Sequence, residues 1–320
     1  MAFLLFFDSI VAKKGFFLNI PHIPVLLDEV IDIFKEIKSG YIVDCTVGYG
    51  GHSEAILKSN SNIKMICIDQ DDEALEFSKK RLQPYSDRVV FKKGRFSTVT
   101  QELKEYDIQG VLADIGLSSL QLDKKDRGFS FTSPTLDMRM NPNSSLSAYE
   151  VVNRYSKKDL ETIFKNYGEF KQYKKLASLI ETQRVKKPFE SSRELAEFIS
   201  QNFGSSKLHP ATLPFQAIRI EVNDELGELK RLLENIKDLN ISKSLIAIIS
   251  FHSLEDKIVK NIFKSWTENC ICPKLASRCL CDRNHAKGKI ITKKPIQPRK
   301  EEVDQNPRSR SSRLRIFKFF

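Results

Sequence analysis

No stretch of this sequence is both long and apolar enough to span a membrane. Its most apolar opening, Met1-Ala2-Phe3-Leu4-Leu5-Phe6-Phe7, is interrupted at Asp8. The same segment has no basic n-region and no small-residue cleavage site, so it does not read as a secretory signal. With no route to an oxidising compartment, the six cysteines give no reason to expect disulfides, and a cytoplasmic location is expected. Internal repeats are absent too. Residues 1–20 read as an N-terminal extension outside the folded domains.

What is present is enough for a large core. The chain has 320 residues, 41% of them hydrophobic and 29% charged, which suits one domain with an insertion, or two domains. The net charge of +11 is unevenly spread. Between Arg283 and Lys318 twelve Lys and Arg face three acids, a net of nine positive charges. A basic segment of this kind, 283–318, fits contacts with a phosphate backbone, and it also fits a solvated solubilising tail.

Along the chain, apolar runs alternate with segments of helical spacing. Val25 to Ile37 has helical spacing, and strands are predicted at 41–45, 63–69, 89–91 and 110–115, with helices from about 53, over 71–82 and near 97–104. Such alternation predicts an α/β fold with a parallel, doubly wound sheet. The alternation stops at about Lys124. From there to Leu233 the sequence shows amphipathic helical stretches (157–164, 174–182, 193–202, 224–236) and no convincing strand. A buried strand returns at 245–250, and 313–319 alternates like a half-buried one. The division predicted is therefore 21–123 with 234–320 as one discontinuous domain, and 124–233 as a helical insertion. Residues 293–312, rich in Pro, Lys, Arg and Ser, read as a linker.

The most informative run is Ile42-Val43-Asp44-Cys45-Thr46-Val47-Gly48-Tyr49-Gly50-Gly51-His52-Ser53. An apolar strand ends in an acid, enters a glycine-dense turn and reopens as a helix, which presents main-chain N–H groups to a nucleotide-like ligand. Asp69, nineteen residues past Gly50, ends the second strand, where it can accept hydrogen bonds from two ribose hydroxyls. Dinucleotide and S-adenosylmethionine enzymes share those two features. Three details favour the latter. The third glycine of G-x-G-x-x-G is replaced by Ser53. Asp44 stands where a carboxylate pairs with a methionine ammonium and repels a pyrophosphate. Asp114 ends the fourth strand and begins Asp114-Ile115-Gly116-Leu117-Ser118-Ser119, placing polar groups at the catalytic edge.

Nine ordered runs carry a resemblance. They are His22-Ile23-Pro24-Val25-Leu26-Leu27-Asp28-Glu29, Gly48 to Ser53, Gly116-Leu117-Ser118-Ser119-Leu120-Gln121-Leu122-Asp123, Arg127-Gly128-Phe129-Ser130-Phe131 and Leu136-Asp137-Met138-Arg139-Met140. His209-Pro210-Ala211-Thr212, Phe215-Gln216-Ala217-Ile218-Arg219-Ile220, Ser250-Phe251-His252-Ser253-Leu254-Glu255-Asp256 and Asn306-Pro307-Arg308-Ser309-Arg310-Ser311-Ser312 complete the set. Over about 22–317 the chain resembles the bacterial small-subunit ribosomal RNA (cytosine-N4) methyltransferases. The resemblance implies a Rossmann-like S-adenosylmethionine methyltransferase sheet with an inserted all-helical domain. It implies a cofactor pocket of Gly50, Gly51, His52, Asp69, Phe96, Asp114 and Gln121, to which the reading above adds Asp44 and Gly48. It also implies N4-methylation of a cytidine in the decoding region of 16S ribosomal RNA, with the assembled small subunit as substrate. The chain departs from the pattern at Leu120, where a proline is usual, and at Leu213-Pro214 and Glu221.

The chemistry sets further expectations. The exocyclic amine of cytosine shares its lone pair with the ring, so a site must hold it pyramidal and in line, about 3–3.5 Å from the methyl group. Asp114, Ser118 and Ser119 are the candidate acceptors, and the Pro-Pro loop of DNA amino-methyltransferases is absent. The base must leave its stack, and the insertion is expected to cover it. Arg127, Phe129, Arg139, Arg219 and His252 are the candidate substrate contacts, although Phe131 and Phe215 read as core and His252 equally as a helix cap. Two pairs, Cys270 with Cys272 and Cys279 with Cys281, look like a metal knuckle with His285 nearby. Their one-residue spacing fits structural zinc less well, so no metal is expected. No membrane partner is expected, and oligomeric state is left open, a dimer being one option.

Overall fold

The computed structural model describes residues 24–117, 121, 124–204, 208–239, 241–273, 279–281 and 283–320. The predicted extension 1–20 lies outside them, as do Ser118 and Ser119. Among the described residues seven strands form one sheet: β1 (Gly40–Asp44), β2 (Ile63–Asp69), β3 (Val89–Lys93), β4 (Ile108–Asp114), β5 (Leu245–Ser250), β6 (Gly288–Ile290) and β7 (Arg313–Phe319). Their order is β3-β2-β1-β4-β5-β7-β6. The pairs among β1 to β5 are parallel, and β7 runs antiparallel to both neighbours. The chain steps outward from β1 to β3 and then returns to β4 on the other side of β1. Connections therefore diverge above the carboxyl ends of β1 and β4, and a crevice opens there.

Strand composition follows from burial on both faces. All six residues of β5 are buried, which only a continuous apolar run such as Leu-Ile-Ala-Ile-Ile-Ser tolerates. Side chains alternate by face. Val43, Ile66, Val111, Ile246 and Phe317 are in register across five strands and share one cluster. Their neighbours Ile42, Met65, Leu112, Ala247 and Ile316 belong to the cluster on the opposite face.

A third cluster, from Phe129 to Val222, contains no sheet residue. It is built by α5 (Ala148–Arg154), α6 (Lys157–Asn166), α7 (Tyr173–Lys186), α8 (Ser192–Asn202) and α9 (Thr212–Asn223). These follow α1 (Leu27–Phe34), α2 (Gly51–Ser59), α3 (Asp72–Arg81) and α4 (Phe96–Val99) of the sheet region. Serine caps start several of them: Ser156 accepts from the Asp159 N–H, and Ser191 from that of Glu194. No strand falls between Asp114 and Leu245 among the described residues.

The helix after the αL residue Asp224, α10 (Glu225–Asp238), leaves this cluster. Its Leu229, Leu232, Leu233 and Ile236 pack against the sheet instead. The stretch 293–312 is also more ordered than its composition suggests. It holds α12 (Lys300–Gln305) and a 3-10 turn, Pro307–Ser311, and the Leu26 N–H donates to Glu302 at 2.9 Å. The remaining helix, α11 (Ser253–Trp266), follows β5.

Candidate active site

A cavity of about 420 Å³ opens at the carboxyl edge between β1 and β4. Its first wall is the turn after β1. Gly48 there has φ +49°, a conformation glycine adopts freely, and its N–H donates to Asp69 Oδ2 at 3.0 Å. Gly51 opens α2 against Pro24, where any Cβ would lie 2.3 Å from the proline ring. Gly50 lies behind the wall, facing Ser78 and Leu82.

Asp44 does not reach the cavity. It is buried, its Oδ2 accepts from the Ser53 hydroxyl at 2.6 Å, and its Oδ1 accepts from the Thr46 N–H at 3.2 Å. Burial pushes its carboxyl up to about 6, with Ser53 and Thr46 holding it down in part. The expected pairing with a ligand ammonium is thus replaced by a tie between strand and helix. Ser53, standing where a dinucleotide fold has its third glycine, is the donor in that tie.

Asp69 and Asp114 do line the cavity. Asp69 accepts from the Asp71 and Gly48 N–H groups, an arrangement that aims its carboxylate. The Asp114 N–H donates to Thr46 Oγ1 at 2.8 Å, locking the end of β4 to the turn after β1. Its side chain accepts from the Gly116 N–H, while Oδ1 is buried with no hydrogen-bond partner. Burial is the main cause raising both carboxyls to about 6; His52 opposes it at Asp114. An unsatisfied buried acceptor costs about 1–3 kcal/mol, which a ligand N–H recovers.

His52 Nε2 lies 2.9 Å from the Val25 carbonyl, so Nε2 carries the proton and Nδ1 is the acceptor. Burial lowers its pKa, against the pull of Asp114, and the ring is neutral. Phe96 begins α4 and lines the cavity, as does the buried Gln121. Turn, strand-two acid, aromatic, strand-four acid and glutamine thus meet in one cavity, as the resemblance implied.

The substrate candidates divide. Arg219 is on the wall, forked by Glu225 at 2.8 and 2.9 Å. Arg127 pairs with Asp71 at 2.9 Å and donates to the carbonyls of Arg139 and Met140, so it braces the insertion against the sheet. Arg139 forks Asp137 and donates to Ser144 O. Phe129 sits in the helical core. His252 caps α11: its Nδ1 accepts from the Glu255 N–H at 3.4 Å, and its Nε2 lies 3.1 Å from Glu255 Oε1. Phe131 stacks on His209 with centroids 4.6 Å apart and meets Phe215 edge-on. Arg127 and Arg139, candidate substrate contacts on the sequence, are both held by carboxylates. Wall residues that the sequence reading passed over include Arg95, Met140, Asn223, Arg308 and Ser311. The last two belong to the matching run 306–312, a signal masked by its linker-like composition.

Comparison with known proteins agrees with this geometry. Residues 19–320 match the model of the MraW methylase family. "Ribosomal RNA small subunit methyltransferase H" of Aliarcobacter butzleri is 62% identical over 302 residues, covering 94% of this chain and all of that protein. The proteins of the same name from Wolinella succinogenes and Sulfurimonas denitrificans are 57% and 55% identical, each covering 93% of this chain and 98% of its own length. Sequence and site together place this chain in the MraW methylase family.

Proposed function

We propose that the protein transfers a methyl group from S-adenosylmethionine to N4 of a cytidine in the decoding region of 16S ribosomal RNA, acting in the cytoplasm on the assembled small subunit. The observation that carries this reading is that Asp69 and Asp114, the acids ending the second and fourth strands, line one cavity, with Asp114 Oδ1 left without a partner in the protein. The relatives named for small-subunit ribosomal RNA methylation support the substrate class.

The residues present fit the donor. Asp69 would accept from ribose hydroxyls and Phe96 would cover the adenine, with Gly48, Gly51, His52 and Gln121 lining the same cavity. When bound, S-adenosylmethionine supplies an electrophilic sulfonium methyl group. Asp114, whose Oδ1 has no partner in the protein, would accept from an N–H brought to the sheet edge, on the donor's ammonium or the target amine. Drawing on an amine N–H turns the nitrogen lone pair out of the ring, and Ser118 and Ser119 are the proposed companions in this. A strong base is not needed, because the amine becomes acidic once methylated.

The helical insertion, proposed at 124–233, covers the extruded base. Its packing unit ends at Asp224, since α10 packs on the sheet. Arg219, fixed by Glu225, presents charge from this side. Labelled donor offered in parallel to small subunits, naked RNA and DNA tests the reading. N4-methylcytidine in subunit RNA is expected. Label only in DNA or protein, or tight subunit binding without transfer as in an assembly factor, would overturn it.

A further inference from the structure

Away from the cavity, the chain between α11 and β6 gathers four free cysteines. The sulfurs of Cys270 and Cys279 are 3.5 Å apart, those of Cys279 and Cys281 3.5 Å, those of Cys281 and Cys270 3.6 Å and those of Cys272 and Cys279 3.9 Å. All four lie within 4.8 Å of one another. A tetrahedral zinc ion with Zn–S bonds of about 2.3 Å sets its sulfurs about 3.8 Å apart, which these separations bracket. An iron–sulfur cubane binds each cysteine to a different iron and needs the four farther apart. The one-residue spacing within each pair is narrower than usual, but the chain folds the two pairs face to face.

Main-chain N–H groups serve every sulfur. Those of Cys272, Cys281 and Arg283, each two residues on, donate to Cys270, Cys279 and Cys281. The Leu280 N–H donates to Cys272 at 3.2 Å.

Among its described residues the loop between α11 and β6 buries no apolar side chain. Ile271 and Leu280 are 68% and 76% exposed. Its neck is tied by Lys287 N to Trp266 O at 2.7 Å and by His285 N to Asn269 O, and Trp266 packs on Phe317 and Phe319 of β7.

We propose that Cys270, Cys272, Cys279 and Cys281 bind one zinc ion as thiolates, releasing their protons to solvent, and that this structural centre fixes the loop to the edge of the sheet. Untagged, full-length protein purified without oxygen from zinc-replete cells provides the test. Elemental analysis is expected to give one zinc per chain. The thiols should resist a chromogenic disulfide reagent until a chelator is added. Exchange into cobalt should give the intense visible bands of a tetrahedral thiolate site. Cys272→Ser with Cys279→Ser should abolish metal binding and leave donor binding at the cavity intact. Where that variant fails to fold, the cobalt spectrum and thiol count of the unaltered chain decide. Metal-free protein with all four thiols reactive, a disulfide among them, or iron–sulfur absorbance would overturn the proposal.

Discussion

Burial pushes the carboxyls of Asp44, Asp69 and Asp114 alike up to about 6, yet only the last two face the cavity. Each binds a proton more readily in the folded chain than in the unfolded one. Ionising them therefore costs the ligand-free protein stability as pH rises from about 4 through about 6, and the cost persists above that. Asp114→Asn should raise the melting temperature of the free protein by a few degrees at pH 8 and by less at pH 5, measured by calorimetry. Donor affinity runs the other way, because it needs ionised acceptors. It should fall by up to about tenfold per pH unit below pH 6, read from binding titrations across that range. Ser53→Ala should cost about 1–3 kcal/mol in urea unfolding, since it strips a donor from buried Asp44; an unchanged midpoint would show that the tie is idle. At this scale strand ends and the turns after them point to Asp69, Phe96 and Asp114, while Gln121 was legible only through the family resemblance; all four line the cavity. The sequence could not show that the oxygens of Asp44 were already engaged, since Ser53 looked only like a substitute for glycine. Nor could it reveal that Asp71, distant in sequence, holds Arg127.

Strand and helix order was legible wherever local pattern matched burial. Strands β2, β5 and β7 were predicted with the observed limits because each is a continuous or strictly alternating apolar run. Helix α9 was missed because it is buried almost all round, from Pro214 and Phe215 to Val222, so it lacks the polar face that reveals a helical period. Strand β6 has three residues, too few for any pattern, and exists because β7 offers it an edge. Helix α12 is charged and short, and it is held by the Glu302 contact with Leu26 rather than by propensity. The joint between insertion and sheet depends on the Arg127–Asp71 pair, 12% and 3% exposed at the side chain. Arg127→Ala leaves a buried carboxylate unpaired and should destabilise the fold by about 3–5 kcal/mol. Urea unfolding checks this, and Arg127→Lys should recover only part of the loss because a lysine cannot also reach the carbonyls of Arg139 and Met140.

For the molecule as a whole, the charge surplus of 283–318 meets the cavity wall at Arg308 and is partly taken up by ion pairs. Arg315 is spent on Asp256 at 2.6 Å, whereas Lys293, Lys294 and Arg310 are exposed on the segment that also brings Arg308 to the wall. Removing the first three of those exposed charges together should weaken RNA binding and flatten its dependence on salt by about two in the logarithmic slope. Filter binding at several salt concentrations measures this, and an unchanged slope would assign the segment to solubility alone. The proposed division of labour, a sheet edge that holds the donor and a helical cluster that covers the base, makes one claim testable before any RNA is added. Calorimetric titration of S-adenosylmethionine into the folded, ligand-free protein tests it most directly. The account predicts saturable binding at one site per chain, weakened at least tenfold by Asp69→Ala with the fold intact. Absence of binding, or binding indifferent to Asp69, would contradict it.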